Sequence, residues 1–270
     1  MDRDLPFTDL HCHLLPGIDD GPKNWETSLA MARQAIAEGI GVMVATPHQL
    51  GRYECNTRAQ ILNLTAEAQR RIEQAGIPLT VLPGADVRIR EDLAELVRNG
   101  HVLTLANRRV HLLIELPHDQ VIPLGNLIQQ LHRQEVSCVL SHPERNYHLQ
   151  QNPELLRPWV QQGCLIQVTS GSITGHFGPE PRRLSRWLFR ENMVHLVATD
   201  AHDLTDRPPL MRKAFKTVCH WTGAPRAETV FVENPKAVIL GGAFRAPLPF
   251  STSQRDFGSL WRKALAACGY

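Results

Sequence analysis

The sequence predicts a single α/β domain folded as a barrel of seven strand–helix units. Short apolar runs typical of β-strands alternate with segments of helical periodicity from one end of the chain to the other. Several helical segments end in glycine, a residue preferred at helix C-termini, as at Gly39, Gly76, Gly100 and Gly163. Strand–helix repetition implies parallel strands joined by right-handed crossovers, and seven such units fit a closed barrel better than an open sheet.

The strand predictions follow the apolar runs in order along the chain. They cover residues 8–11, 42–46, 79–82, 110–116, 137–141, 165–169 and 195–199. The helix predictions rest on amphipathic periodicity and cover residues 25–38, 57–74, 91–98, 122–133, 153–162, 181–191, 208–221, 226–232 and 235–240. No low-complexity linker divides the chain, so we expect one barrel domain over residues 1–243. Residues 244–270 are expected to form an extended tail with a short helix near its end.

Composition and charge narrow the functional classes. The 270 residues are 43% hydrophobic and 21% charged, which is ordinary for a globular protein. The net charge of +2 does not suggest a broad electrostatic surface for nucleic acid or for an anionic membrane. No run resembles a signal peptide or a membrane span, so we expect no membrane insertion and a cytoplasmic location. The six cysteines show no paired spacing, as is usual in a reducing compartment.

Two histidines stand at the end of the first predicted strand. Side chains alternate faces along a strand, so His11 and His13 point the same way while Cys12 points to the opposite face. Two neutral imidazoles on one face can bind one metal ion if further ligands come from elsewhere. Taken alone, the pair could equally be surface polar residues, and the rest of the chain decides between these interpretations.

Further potential ligands follow the other predicted strands, at the carboxyl ends that form the active site in parallel barrels. Only the sixth strand ends without an obvious ligand, at Thr169 and Ser170. Any single candidate could be a hydrogen-bonded histidine or a helix-capping acid, but those explanations do not account for the whole set. The nine candidates are His11, His13, Asp20, His48, Asp86, Glu115, His142, Asp200 and His202.

The types of donor atom in this set indicate the class of metal. Nine nitrogen and oxygen donors without a thiolate suffice for two or three divalent ions and suit Mn²⁺, Fe or Zn²⁺. The absence of cysteine among them argues against a structural zinc site. Nucleotide-binding folds are disfavoured, because the strand–helix turns carry neither of the two common phosphate-binding motifs, Gly-x-Gly-x-x-Gly and Gly-x-x-x-x-Gly-Lys-Ser/Thr. A cysteine-based tyrosine phosphatase needs an arginine six positions after its cysteine, and no cysteine here meets that spacing.

Several short motifs resemble those of the PHP-domain (polymerase and histidinol phosphatase) phosphoesterases. Within that group, the chain is similar to the metal-dependent tyrosine-protein phosphatases of capsular and exopolysaccharide biosynthesis, the CpsB/YwqE-type family. The matching stretches are DLHCH at 9–13, DDGP at 19–22, TPH at 46–48, IEL at 114–116, SHPER at 141–145 and VATDAHDLTDRPP at 197–209. The histidine pairs indicate only the superfamily, whereas DDGP, HPER and DRPP are more specific. The resemblance covers residues 8 to about 240.

The resemblance implies a distorted seven-unit TIM-like barrel, the PHP fold, holding three metal ions that are typically manganese. By position, the first ion would be held by His11, His13, Asp86 and Asp200. The second would be held by Asp86, Glu115 and His142, with Asp86 bridging, and the third by Asp20, His48 and His202. The bridging residue is usually glutamate. Asp86 is one methylene shorter, so the bridge needs a small backbone shift or becomes monodentate.

For function, the resemblance implies hydrolysis of a phosphomonoester by direct attack of a metal-bound hydroxide. The expected substrate is the phosphotyrosine-bearing tail of a bacterial tyrosine autokinase that controls capsule or exopolysaccharide synthesis. Arg145 and Arg207 each follow a predicted ligand by a few residues, and the planar guanidinium suits bidentate binding of phosphate. We therefore expect these two arginines to clamp the phosphate. Asp203 or Asp206 could protonate the leaving phenolate.

Other functions remain open on sequence alone. The same fold could belong to a phosphatase for small molecules similar to histidinol phosphate, or to a nuclease. A nuclease usually needs a row of basic side chains to bind nucleic acid, which a net charge of +2 does not indicate. The sequence of an amidohydrolase also begins with a His-x-His motif. Here no lysine follows the fourth strand to bridge two metal ions, so an amidohydrolase is disfavoured. The alternative from another class is a non-catalytic, metal-bound regulatory protein, which the intact ligand set disfavours.

Overall fold

The strands of this protein form a parallel barrel in a computed structural model that describes residues 7–242. The strands are Phe7–Cys12 (β1), Ile40–Ala45 (β2), His48–Gln49 (β3), Thr80–Pro83 (β4), Asp86–Arg88 (β5), His111–Glu115 (β6), Ser137–Leu140 (β7), Leu165–Thr169 (β8) and Leu196–Ala198 (β9). Their hydrogen-bonded order is β1-β2-β4 in one sheet and β3-β5-β6-β7-β8-β9 in the other. All the pairings between these strands are parallel.

Two of the predicted strands are each broken into a pair of short strands. Thr46 and Pro47 separate β2 from β3, and residues 84–85 separate β4 from β5. Backbone hydrogen bonds continue across the breaks. For example, the Gly84 amide donates to the Ala45 carbonyl at 2.9 Å. Glycine is required at this crossing, since a Cβ on Gly84 would lie 2.7 Å from a methyl group of Val44. If β2 with β3 and β4 with β5 are each counted as one interrupted strand, the nine segments correspond to the seven strands that the sequence predicts.

The barrel is closed where the segment just after the last strand, β9, forms backbone hydrogen bonds with the end of the first strand, β1. The Asp200 amide donates to the His11 carbonyl at 2.7 Å, and the His13 amide donates to the Ala201 carbonyl at 2.8 Å. Asp9 reinforces this seam, because its carboxylate accepts a hydrogen bond from the Thr199 amide at 2.9 Å. The predicted distorted seven-unit barrel is confirmed, and its distortion lies at this seam and at the two strand breaks.

The helices cover the outside of the barrel. They are Trp25–Ala37 (α1), Arg58–Gln74 (α2), Leu93–Arg98 (α3), Gly125–His132 (α4), Tyr147–Gln151 (α5), Arg157–Gln161 (α6), Ser170–Thr174 (α7), Pro179–Arg190 (α8), Arg212–Thr222 (α9), Ala224–Glu228 (α10) and Asn234–Ile239 (α11). The two longest begin at side-chain caps, where Asn24 accepts from the Thr27 amide and Thr57 accepts from the Gln60 amide. Such caps satisfy amides that have no partner within the helix.

Several helix bounds differ from the predicted ones. The segment predicted as one helix over 153–162 is a 3₁₀ turn, Pro153–Leu156, followed by α6. Pro158 has no amide hydrogen to donate to the preceding turn, so a continuous α-helix is disfavoured there. The helix predicted over 208–221 begins only at Arg212 in α9. The short helices α5 and α7 were not predicted, and the predicted tail helix lies outside the described residues.

Neighbouring strand residues contribute to two different hydrophobic clusters. Leu113 belongs to a small cluster with Leu10, Val44, Val139 and Leu196, which come from other strands. Residues 112 and 114 belong to the large cluster that includes the helices. The small cluster therefore fills the inside of the barrel. Glu115, two residues after Leu113, lies on the same inner face at the carboxyl end of β6.

Candidate metal centre

The carboxyl ends of the strands bring all the predicted metal ligands into one place. Four overlapping groups have ligand atoms within 4.8 Å of one another. They are His13, Asp20, His48 and His202; His11, His142 and Asp200; His11, His13 and Asp86; and His48, Asp86 and Glu115. Each of the nine predicted ligands appears in at least one group, and the groups share members.

The deepest part of the centre is built from the first and last strands. The Nε2 atoms of His11 and His13 lie 3.4 Å apart and point the same way, as the strand pattern predicts. They lie 3.1 and 3.5 Å from Oδ1 of Asp200. Oδ2 of Asp86 lies 3.7 Å from Nε2 of His11. These four side chains are the set that the resemblance implies for the first ion.

Asp86 and Glu115, the two carboxylates that the resemblance implies for the second ion, lie between two histidines. The resemblance implies only one histidine there, His142. Nδ1 of His48 is 3.5 Å from the Asp86 carboxylate and 3.8 Å from that of Glu115. His142 approaches Glu115 from the other side, with Nε2 3.8 Å from Oε1. The geometry therefore adds His48 to the neighbourhood of the second implied ion.

The outer part of the centre surrounds Asp20. The Nε2 atoms of His48 and His202 each lie 3.4 Å from Oδ1 of this half-exposed carboxylate. Nδ1 of His13 lies 4.0 Å from the same atom. The set that the resemblance implies for the third ion is thus assembled, with His13 beside it.

Buried donor atoms test whether this pocket fits cations. Both carboxylate oxygens of Asp86, Oδ1 of Asp200 and Nε2 of His202 are buried without a hydrogen-bond partner among the described residues. Burial of such atoms without a partner is costly. They converge with other nitrogen and oxygen donors, so divalent cations would satisfy them, and the residues present fit a metal cluster.

Groups behind the ligands fix the orientation of the histidine rings. Nδ1 of His13 donates to Asp19 at 2.7 Å, and Nδ1 of His11 donates to the side-chain oxygen of Gln167 at 2.9 Å. Nδ1 of His202 donates to the Asp200 carbonyl at 2.9 Å. Each bond leaves Nε2 of its ring as the free donor for a metal. These contacts hold the imidazoles in place before any ion binds.

Asp19 and Gln167 were not predicted from the sequence. Asp19 stands beside a predicted ligand in the DDGP motif, and its buried carboxylate also accepts from the amides of Gly21 and His48. Gln167 lies on β8, the strand that ends without a ligand. The signal available was strand alternation on β8, which places Gln167 on the same face as Leu165 and Thr169.

Two ligands stand on strained backbone. His142 has φ 30° and ψ 52°, and Asp200 has φ 55°. Residues with a Cβ rarely adopt this left-handed conformation, which costs free energy unless the surroundings compensate. Each residue lies two positions after the end of a strand, so the turn aims its side chain across the barrel mouth.

Arg145 and Arg207 meet at a single carboxylate oxygen. Nη1 of Arg145 lies 2.5 Å and Nη2 of Arg207 lies 2.8 Å from Oδ2 of Asp200. Burial raises the pKa of Asp200, but Arg207 and His11 outweigh burial and hold that pKa well below its usual range. Asp200 therefore stays ionised and presents its other oxygen to the histidines.

Additional side chains line the mouth of the centre. Arg88 was not predicted, and its Nη1 lies 3.1 Å from Oε2 of Glu115. The ring of Tyr53 stacks on His48, with centroids 5.1 Å apart. Together with Arg52 and His118, these residues border a mouth cavity of about 90 Å³ that Asp20, Arg145 and Arg207 also line.

Asp203, one of the two candidate proton donors, accepts hydrogen bonds from backbone amides of its own loop. Its Oδ1 accepts from the amides of Thr205, Asp206 and Arg207 at 2.6–3.0 Å. Burial raises the pKa of Asp203, but these bonds outweigh burial and lower it. A carboxylate held ionised in this way is a poor proton donor, which leaves Asp206 as the candidate.

Comparison with known proteins agrees with this geometry. The family described as Capsular polysaccharide synthesis, CpsB/CapC, matches residues 7–240. The chain belongs to this family. Its relatives include the tyrosine-protein phosphatase YwqE of Bacillus subtilis, 36% identical over 74% of this chain and 78% of the relative. The putative tyrosine-protein phosphatase CapC of Staphylococcus aureus is 32% identical over 77% of this chain and 82% of its own length.

Solved structures place the family in a wider fold group. Crystal structures of YwqE from Bacillus subtilis and CpsB from Streptococcus pneumoniae, described as unique metal-dependent tyrosine phosphatases, give a match with TM-score 0.85. That match has 31% identity over 91% of this chain and 100% of the other. A phosphotriesterase homology protein of Escherichia coli, 11% identical with TM-score 0.57, covers 88% of this chain and all of its own, and it shares the barrel fold alone. None of the helices in residues 7–242 is long and apolar enough to cross a membrane.

Proposed function

We propose that this chain is a metal-dependent tyrosine-protein phosphatase acting in capsule or exopolysaccharide synthesis. Its substrate in this proposal is the phosphotyrosine-bearing tail of a bacterial tyrosine autokinase. One observation carries the proposal: nine histidine and carboxylate side chains converge on one pocket whose rim carries two arginines bound to the same Asp200 oxygen. Family membership and the names of the relatives support the same activity.

The nine predicted ligands would hold two to three divalent ions, and Mn²⁺ is our proposal for their identity. Imidazole and carboxylate donors without a thiolate suit this ion, and Fe or Zn²⁺ are the alternatives. Such ions supply Lewis acidity that activates water at neutral pH and neutralises phosphate charge. Asp86, with both oxygens buried and unpaired among the described residues, is the candidate bridge.

Arg145 and Arg207 would bind the transferring phosphate. Each guanidinium is partly exposed at the mouth and is aimed into the pocket by its bond to Asp200. A planar guanidinium can give two parallel hydrogen bonds to phosphate oxygens, and these bonds strengthen as charge develops in the transition state. Phe177 supports Arg145 from behind, since the guanidinium lies 4.7 Å from the ring centroid.

A cytoplasmic location forms part of the proposal. The cysteines described in the structure, Cys12, Cys55, Cys138, Cys164 and Cys219, are all free thiols. Free buried thiols are usual in proteins of a reducing compartment. An intracellular autokinase tail would be accessible to the enzyme there.

Metal analysis combined with substrate comparison tests the proposed activity. We expect purified protein to bind Mn²⁺ and to hydrolyse a phosphotyrosine peptide faster than histidinol phosphate or an oligonucleotide. A chelator and His13→Ala should abolish turnover, whereas His101→Ala, a change at an exposed histidine outside the centre, should not. Faster hydrolysis of histidinol phosphate or of the oligonucleotide would contradict the proposal, and bound metal without turnover of any substrate would favour a regulatory protein.

A further inference from the structure

Two further cavities continue outward from the mouth of the metal centre. The first, about 330 Å³, lies beside α7 and shares Arg207 with the mouth cavity. The second, about 730 Å³, runs along α9 and shares Leu210 and Lys213 with the first. Because each cavity shares lining residues with the next, the three cavities lie side by side along the surface from Arg207 to Trp221 at the far end of α9, and we call this surface the trough.

Basic side chains line this trough along its length. Lys213, Lys216 and His220 are exposed and recur at helical spacing on one face of α9. Arg182 faces them from α8. We call the whole set the basic track: Arg182, Arg207, Arg212, Lys213, Lys216 and His220.

Apart from Arg207, which is paired with Asp200, the cations of the basic track form no ion pair with a carboxylate among the described residues. Among the described residues, no carboxylate forms an ion pair with Arg182, Lys213 or Lys216, while the neighbouring Arg183 has one with Glu180. Glu38 is the single described acid that lines the two outer cavities. Its Oε2 accepts from the amides of Met211 and Arg212 at 3.0 Å each, so it anchors the chain there.

Apolar groups lie between the cations. Leu210 is 42% exposed, which is unusual for a large hydrophobic side chain in this protein, and it lines both outer cavities. Pro208 lies beside it in the first cavity. A surface that alternates cations with short apolar patches suits an extended acidic peptide. A single-stranded nucleic acid usually needs several aromatic stacking partners. The large aromatic rings in the described lining of the two outer cavities are Trp221 and Phe177, and Phe177 already packs against Arg145.

We propose that the basic track binds acidic residues that flank the phosphotyrosine on one side. This inference rests on the proposed function, because it takes the metal centre as the site of the phosphotyrosine. Arg207 faces both the metal centre and the first outer cavity, so a peptide anchored there enters the track directly. Lys213 and Lys216 then select for aspartate or glutamate at the following positions.

Charge pairs on an exposed surface are individually weak and are screened by salt. Two such pairs acting together correspond to a preference of roughly tenfold at low ionic strength. The preference should appear in KM, because the track contacts the substrate away from the reacting phosphorus. It should shrink when salt shortens the range of the interaction.

The test compares two phosphotyrosine peptides that differ only in flanking residues, acidic in one and neutral in the other, with free phosphotyrosine as a reference. Wild-type protein should show about tenfold higher kcat/KM for the acidic peptide, mainly through KM. The double variant Lys213→Glu with Lys216→Glu should remove or reverse this preference and leave free phosphotyrosine unaffected. Lys236→Glu, which reverses the charge of an exposed lysine on α11 outside the cavities, is the control for charge reversal elsewhere on the surface.

Equal kcat/KM for the two peptides, or a preference that survives the double variant, would overturn the inference. Fluorescence anisotropy with the labelled acidic peptide and a labelled single-stranded oligonucleotide separates the partner classes. Tighter binding of the oligonucleotide that is lost in the double variant would replace the acidic peptide with nucleic acid. If wild-type protein hydrolyses no phosphotyrosine substrate, the proposed function fails, and the anisotropy of the acidic peptide alone then decides whether the track binds it.

Discussion

At the scale of single residues, the histidines are held in place by groups that do not face the metal pocket themselves. Asp19 accepts the Nδ1 hydrogen of His13, and Gln167 does the same for His11. A ring fixed in this way presents Nε2 to a metal without further loss of rotational freedom, and a carboxylate behind the ring also raises its basicity. The affinity of the centre therefore depends on residues outside the ligand set.

The change Asp19→Asn should weaken metal binding about 10- to 100-fold while the barrel stays folded. Asparagine keeps the size of the side chain but loses the negative charge that supports His13. Titration of metal-free protein with Mn²⁺ measures the effect. Asp92→Asn, at an exposed residue paired with Arg90, is the control and should leave affinity unchanged. Unaltered affinity in Asp19→Asn would show that the His13 ring is fixed by packing alone.

Replacing Arg145 or Arg207 by alanine should leave metal content intact and raise the activation barrier by about 2–4 kcal/mol. Lysine at either position should restore only part of the rate, since an ammonium cannot give two parallel hydrogen bonds. Rates with a phosphotyrosine peptide, measured beside metal analysis of the same samples, give both quantities. Near wild-type rates in both alanine variants would remove the two arginines from phosphate binding.

At the scale of elements, the breaks in two neighbouring strands position the ligands. β3 and β5 are displaced continuations of β2 and β4, and they begin at His48 and Asp86. These strands pair with each other, and His48 stands opposite Asp86. Residues that stand opposite each other on paired strands point to the same face, so both side chains reach one pocket. The crossing point of the two breaks depends on Gly84.

Gly84→Ala should therefore disturb the centre as well as the fold. The new methyl group would lie 2.7 Å from Val44, closer than packed carbon atoms can be, and 3.1 Å from Thr46, which is also tight. Relief of such overpacking costs about 1–3 kcal/mol and moves the β4–β5 connection. We expect a lower urea midpoint together with weaker Mn²⁺ binding. Gly242→Ala is the control, because Gly242 also lacks a positive φ and its added methyl group would meet its nearest neighbour at 3.4 Å, an ordinary van der Waals distance. Equal metal binding in Gly84→Ala and wild type would show that the break does not set the position of Asp86.

At the scale of the whole molecule, a buried histidine at the amino end of the barrel makes the stability of the fold depend on pH. The carboxyl end holds the predicted metal ligands. The amino end holds His111, which begins β6 and is 2% exposed. Burial lowers the pKa of His111 to about 4. Since histidine in an unfolded chain titrates near pH 6.5, the unfolded chain binds an extra proton between those two values.

The stability due to neutral His111 is therefore fully present above about pH 6.5 and is lost as pH falls towards 4. The expected loss is roughly 2–3 kcal/mol over that window. His111→Gln should flatten this part of the pH dependence, and His101→Gln, at an exposed histidine, should not. Urea unfolding of metal-free protein from pH 4 to 7 measures the difference, and parallel curves for wild type and His111→Gln would contradict it.

The class of fold and the candidate ligands could both be predicted from the amino-acid sequence. Alternation of apolar and amphipathic segments specifies parallel strands, and a residue that follows such a strand must lie at the carboxyl end of the barrel. His11, His142 and Asp200 could be found in this way because the rule is local. The family motifs in DDGP and HPER then narrowed the expected chemistry.

Which candidate ligands share a pocket, and which side chains support them, could be seen only in the folded molecule. Distances between strands depend on register and on the breaks before His48 and Asp86, which no local pattern encodes. Asp19 and Gln167 gained their roles only through contacts with histidines on β1 and directly after it. The basic track joins α8, α9 and the segment after Asp200. Net charge could not reveal it, because a sum over the chain contains no information about where the charges lie.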